Sequence, residues 1–143
     1  MEDMGLAYQI STWILPALTA ITLHEAAHGF VAWRLGDDTA KRLGRVTFNP
    51  LRHVDPFGTV ILPAMLLLAS GGRLMFGFAK PVPVDFRRLN RPRRDMVLVA
   101  AAGPGINIAM AVCAAVGLAL IPALPGPALE WIGFNLINAV WLN

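Results

Sequence analysis

Residues 10–35 read ISTWILPALTAITLHEAAHGFVAWRL, and the way this stretch is read decides the fold. Between Asp3 and Arg34 the only formally charged side chain is Glu25, so the stretch reads as one apolar helix. Its length would be roughly 39 Å, enough to cross a bilayer core with some tilt. A secretory signal peptide is the alternative, but Glu2 and Asp3 stand where such a signal carries cations. Within the helix lies His24-Glu25-Ala26-Ala27-His28. Positions i and i+4 share a helix face one turn apart, so both imidazoles can reach one ion. Zinc accepts neutral imidazole nitrogens, and a catalytic site keeps one position open for water. Glu25, one step round the helix, can take a proton from that water and pass it to a leaving amine. Two histidines and a carboxylate in an apolar membrane helix are costly and mark a functional site by default. A hydrogen-bonded polar cluster between helices is the plainer alternative; metal ligation accounts for all three residues together.

The rest of the chain extends this reading. Of its 143 residues 56% are hydrophobic and 15% charged, too apolar for an ordinary soluble domain. Three further apolar segments follow: Phe57–Ser70, interrupted by Pro63; Met96–Ile121, rich in small residues; and one that begins near Leu129. The net charge of +3 is unevenly spread. Cations lie at Arg34, Lys41, Arg42, Arg45 and Arg52, and again at Arg73, Lys80, Arg87, Arg88, Arg91, Arg93 and Arg94. Cations flanking apolar spans follow the positive-inside rule, which makes a lipid bilayer the expected partner. Nucleic acid is not expected, because no aromatic platform accompanies the arginine run. The single cysteine, Cys113, excludes internal disulfides and cysteine-based zinc fingers. Both flanks of Phe57–Ser70 are basic, and 14 residues cover only about 21 Å, so this segment is expected to dip in and return on the same side. The N-terminus is then outside, and the basic stretches are cytosolic.

Gly44-Arg45-Val46-Thr47-Phe48 and Ala79-Lys80-Pro81-Val82-Pro83-Val84 look extended, which predicts a small cytosolic β element. Pro81 and Pro83 lack amide donors, so the second stretch suits an edge strand on which an extended peptide could dock, or a plain Pro-rich connector.

Four motifs occur in order: His24-Glu25-Ala26-Ala27-His28-Gly29, Asn49-Pro50-Leu51-Arg52-His53-Val54-Asp55-Pro56, Ala79-Lys80-Pro81-Val82-Pro83-Val84 and Ala102-Gly103-Pro104-Gly105-Ile106-Asn107. Together they resemble the compact bacterial branch of the site-2 protease family of intramembrane metalloproteases, over about Leu15 to Asn143. The resemblance implies Zn2+, hydrolysis of transmembrane protein or peptide substrates, a multi-pass position in the bacterial plasma membrane, and a site reached from the cytosolic side. It assigns His24 and His28 to the metal and Glu25 to catalysis. The family's third ligand is an aspartate in a Leu-Asp-Gly motif near the end of the helix that starts here around Leu129. The expectation is therefore a single membrane-embedded core over 1–143, truncated before that aspartate and inactive by itself. The fold expected is all-α and polytopic, with three transmembrane helices, the last incomplete, besides the dipping segment and the β element.

Two rival functions remain: a catalytically inactive homologue that binds membrane proteins, and a metal transporter. Intact His24, Glu25 and His28 argue against the first. The scarcity of ionisable residues in the other spans argues against the second. Asn107 is a candidate for holding substrate or for hydrogen-bonding between helices. His53, with Asp55 beside it, is a candidate for loop support rather than metal. Gly103, Gly105 and the neighbouring alanines read as close helix packing. Trp13, Trp33, Trp131 and Trp141 read as interfacial or core aromatics.

Overall fold

The computed structural model describes residues 6–71, 78–120 and 127–142. Three long helices dominate: α1 (Leu6–Arg34), α4 (Pro92–Leu120) and α5 (Pro127–Leu142). Each of the three packs against the other two. Between α1 and α4 lie α2 (Thr39–Arg42), a 3-10 turn at Pro50–Arg52, a π turn at Pro56–Ile61 running into α3 (Leu62–Ala69), and a second 3-10 turn at Phe86–Arg88.

Both long N-terminal helices contain an interior proline, Pro16 in α1 and Pro104 in α4. Proline has no N–H to give the carbonyl four residues back, and in an apolar surrounding such a group needs another donor. For Pro16 that carbonyl belongs to Thr12, and the Asn138 side-chain amide of α5 donates to it at 3.0 Å. Trp131 Nε1 donates to Ser11 Oγ at 2.9 Å one helical step away. The α1–α5 seam is thus tied by polar groups.

The end of α1 is pinned just as closely. Gly36 closes it with φ 111°, a conformation side chains rarely adopt, and a Cβ there would lie 2.8 Å from Asn90 Oδ1. The fully buried Asp37 accepts from the Thr39 amide at 3.0 Å and from the Asp85 amide at 2.7 Å. The Asn90 amide donates to the Leu35 carbonyl at 2.9 Å. These bonds hold the 85–90 stretch against the exit of α1. On the surface nearby, the Arg87 side-chain hydrogen bond holds the Asp85 carboxyl below its ordinary value. Lys41 stacks its ammonium 3.5 Å from the Trp33 ring centroid.

The expected β element does not form: no strand is present among the described residues. The reason lies in where the amides go. Lys80 N–H donates to the His53 carbonyl at 2.9 Å and Val82 N–H to a side chain of α1, while Pro81 and Pro83 have no N–H. In an extended chain alternate residues face opposite sides, so the outward edge of this strap offers carbonyls alone. A docking peptide would find only half of a strand's ladder there.

The apolar segment expected at Phe57–Ser70 is helical over Pro56–Ala69. Pro63 does not break it: the Gly58 carbonyl, five residues back in the π turn, accepts from the Phe78 amide at 3.0 Å in place of the N–H that residue 63 lacks. Asp55 caps the π turn, accepting from the Gly58 amide at 2.7 Å. Among the described residues α3 touches no other helix beyond that turn, and Phe57, Val60, Met65 and Leu68 are exposed.

Burial is inverted relative to a water-soluble domain. Thr12, Thr22, Asp95, Asn135 and Asn138 are buried, whereas Val97, Leu98, Ile108, Val112 and Val116 of α4 face outward. Large outward apolar surfaces of this kind need a cover. By length and composition, Pro92–Ala119 is long and apolar enough to cross a membrane, with mean hydropathy 1.9 over its most apolar 18 residues. It is the one such helix among the described residues; α1 has the length, but its threonines, histidines and Glu25 lower its hydropathy.

Candidate metal centre

His24 and His28 stand on the face of α1 that meets α4. Their rings are 4.7 Å apart between centroids and nearly perpendicular, at 80°. His28 Nδ1 lies 2.7 Å from the Val99 carbonyl of α4. A carbonyl can only accept, so Nδ1 carries the proton and Nε2 is left with a bare lone pair. Fixing a ligand's tautomer through its other nitrogen is how metal-binding imidazoles are ordinarily oriented.

The two Nε2 atoms converge on one point, and Gly103 of α4 locates it. A Cβ added to Gly103 would sit 2.5 Å from His24 Nε2 and closer still to His28 Nε2. Both ring nitrogens therefore lie against the Gly103 backbone, and any side chain at 103 would collide with both imidazoles. The donor set, two imidazole nitrogens brought close together, suits a zinc ion, and α4 can approach both rings this closely only because residue 103 has no side chain. Gly105, two residues on, has nothing within 4 Å of such a Cβ. Close approach is therefore a property of Gly103, not of the glycine pair that the sequence suggested.

Glu25 Oε2 accepts from the Val82 amide at 2.8 Å. Glu25 and His28 together line a cleft of about 420 Å³ whose other walls are Pro81, Val82, Val84, Phe86, Met96, Val99 and Ala100. A carboxylate and an imidazole at the edge of an otherwise apolar cleft can act on a polar group that enters it. Gly29 lets the strap come this near: a Cβ there would meet Val46 and Val82 side-chain carbons at 3.0 Å each.

The other sequence candidates do not join the pair. Among the described residues no cluster of three or more His, Cys, Asp or Glu side chains is placed to hold a metal ion. His53 is buried in the loop, its Nε2 3.2 Å from the Thr47 carbonyl and its own carbonyl bonded by Lys80, which suits loop support. Asp55 is engaged as a helix cap. Asn107 sits one helical turn beyond Gly103, with a buried Oδ1 that has no hydrogen-bond partner among the described residues. Sequence reasoning missed the Val99 carbonyl and the Val82 amide, since backbone groups carry no residue signature. It named Gly103 without the close approach of both imidazoles that makes it matter.

No family model matches the chain, and no solved structure matches it. Curated relatives do. The chain is 37% identical to "Putative zinc metalloprotease YwhC" of Bacillus subtilis over 99% of its own length and 63% of that protein's. It is 32% identical to "Putative zinc metalloprotease Rip2" of Mycolicibacterium smegmatis, over 94% of the chain and 50% of that protein. Rip2 of Mycobacterium tuberculosis is 35% identical over 88% of the chain and 48% of its own length. The chain thus spans about half to just under two thirds of these relatives. Their shared description supports a zinc metalloprotease family for this chain.

Proposed function

We propose that this relative of zinc metalloproteases is the catalytic core of a site-2-type intramembrane endopeptidase, acting on transmembrane protein or peptide substrates from the cytosolic side. The observation that carries the reading is the convergence of His24 and His28 Nε2 beside Gly103, with Glu25 on the adjoining cleft. The two imidazoles would hold Zn2+, and a bound zinc ion would supply polarisation of water and of the scissile carbonyl. Glu25 takes the proton from the attacking water and returns it to the leaving amine. The apolar walls of the cleft limit competing water and strengthen each polar interaction inside. Two imidazoles are two of the usual three protein ligands, and the described residues bring no third His, Cys, Asp or Glu ligand to them, so the proposal requires one further donor.

The membrane part of the proposal has α1, α4 and α5 as spans, with Pro56–Ala69 dipping among the lipid tails. It is supported by the outward apolar faces, by the isolation of α3, and by the arginines gathered where α1 ends and α4 begins. Cysteines introduced near Arg42 and near Arg88 in a Cys113→Ser background should both react with an impermeant thiol reagent from the cytosolic face alone. Labelling from opposite faces would mean that the dipping segment crosses completely.

The decisive experiment uses the full-length protein, a transmembrane substrate in liposomes, and metal analysis of the same preparation. His24→Ala and His28→Ala should each lose stoichiometric zinc. Glu25→Gln should keep the metal and lose about 10²- to 10⁴-fold in rate, the usual worth of a general base. Zinc content unchanged in both histidine variants would overturn the metal assignment. Wild-type cleavage by Glu25→Gln would overturn the role of Glu25.

A further inference from the structure

Val82 is the one residue of the Pro81-Val82-Pro83 stretch with an amide proton, and that proton is given to Glu25 Oε2 at 2.8 Å. Everything about the strap works to hold it there. Lys80 N–H is anchored on the His53 carbonyl, and the Arg45 guanidinium approaches the Pro81 carbonyl at 3.4 Å. The Val82 side chain is buried against α1 where Gly29 leaves room. Prolines on both sides restrict the backbone to an extended path before any contact is made, so little entropy is lost in presenting the amide.

Glu25 has three rotatable side-chain bonds, and a flexible base is a poor one unless it is oriented. We infer that the Val82 backbone amide is the positioning group for the Glu25 carboxylate. It holds Oε2 by a charge-assisted bond and leaves Oε1 as the oxygen that accepts the proton. The Pro-Val-Pro strap is on this view a built part of the reaction site rather than a connector or a peptide-docking edge. The inference rests on the reading of Glu25 as general base.

Two measurements on the full-length protein in nanodiscs test it. The first needs no turnover. Because Pro81 and Pro83 carry no amide proton, backbone hydrogen exchange across residues 81–83 reports Val82 alone. Exchange there should be at least about ten-fold slower in the wild type than in Glu25→Ala, as expected for a bond to a charged acceptor. The second compares Val82→Pro, which deletes the amide while suiting the extended path, with Val82→Ala, which keeps the amide and trims the side chain. Val82→Pro should lose about 10²-fold in kcat with KM and zinc content unchanged, whereas Val82→Ala should retain near-wild-type kcat. Equal exchange in wild type and Glu25→Ala would overturn the positioning role. So would undiminished kcat in Val82→Pro, or an equal loss in both Val82 variants. If the wild type itself fails to cleave transmembrane substrates, the protease reading falls and the positioning role falls with it. Failure of the exchange difference in an active wild type removes the positioning role alone.

Discussion

Where α1 meets α5, Asn138 donates from α5 to the Thr12 carbonyl of α1; where α1 meets α4, His28 donates from α1 to the Val99 carbonyl of α4. Both seams lie near an interior proline, and both tie one helix's backbone to the other's side chain at 2.7–3.0 Å. What differs is what is left over. Asn138 uses its amide to serve a carbonyl that Pro16 cannot. His28 makes the same kind of bond with one nitrogen and keeps a second, placed with that of His24 against the Gly103 backbone. At one seam the polar groups complete the scaffold; at the other, the same bond fixes a tautomer and leaves a ligand atom free.

The contrast is broken most severely at Gly103. Gly103→Ala would put a methyl group at the point where His24 and His28 Nε2 converge, and nothing can be displaced there except the imidazoles themselves or the α1–α4 spacing. Zinc content and cleavage should both fall below detection. Gly105→Ala, where a Cβ meets nothing within 4 Å, should leave both unchanged and gain slightly in helix stability. Metal analysis of the two purified variants distinguishes the cases; stoichiometric zinc in Gly103→Ala would mean that the placement of the two imidazoles against residue 103 does not matter for metal binding.

At the other seam the expected loss is of stability, not of chemistry. Asn138→Ala removes the donor to Thr12 and should cost about 0.5–2 kcal/mol, the range for interhelical hydrogen bonds in membrane proteins. Reversible unfolding in mixed detergent measures it. Zinc binding by the folded fraction should be unaltered, because His24, His28 and Gly103 meet at the opposite seam. A variant that keeps its stability but loses zinc would show that the two seams are not separate in function.

Much of this was legible in the sequence, and unevenly so. The spacing of His24, Glu25 and His28 sufficed to place both imidazoles on one helix face and to propose a metal pair with its base, because i, i+4 geometry is local and survives any tertiary arrangement. The long helices followed from long apolar runs, and the short helix at Pro56–Ala69 from a run that Pro63 was expected to interrupt. The strand expectation for Ala79–Val84 failed for a non-local reason: an extended run becomes a strand only if another backbone takes its hydrogen bonds, and here His53 and Glu25 take them. Gly103 and Gly105 looked alike because sequence gives no distance to α1. Asn135 and Asn138, polar positions in an apolar helix, carried a signal that could have been read as a seam.

The finest test asks whether Asn138 acts because of Pro16. If the Asn138 amide replaces the N–H that Pro16 lacks, restoring that N–H should make Asn138 partly redundant. Pro16→Ala gives Thr12 a donor from within α1, so Asn138→Ala should cost less in a Pro16→Ala background than in the wild type. The difference between the two costs is the coupling energy of a double-mutant cycle, and it should be about 0.5–1 kcal/mol, smaller than either single effect. Its sign matters more than its size. Additive costs would mean that Asn138 stabilises the seam by packing, with the proline tolerated for some other reason. A positive coupling would mean that the helix break and its repair are one device. The α4 seam provides the control: Pro104→Ala restores an amide to the Ala100 carbonyl, not to Val99, so it should leave the His28–Val99 bond, and with it the zinc content expected of the proposed site, unaffected.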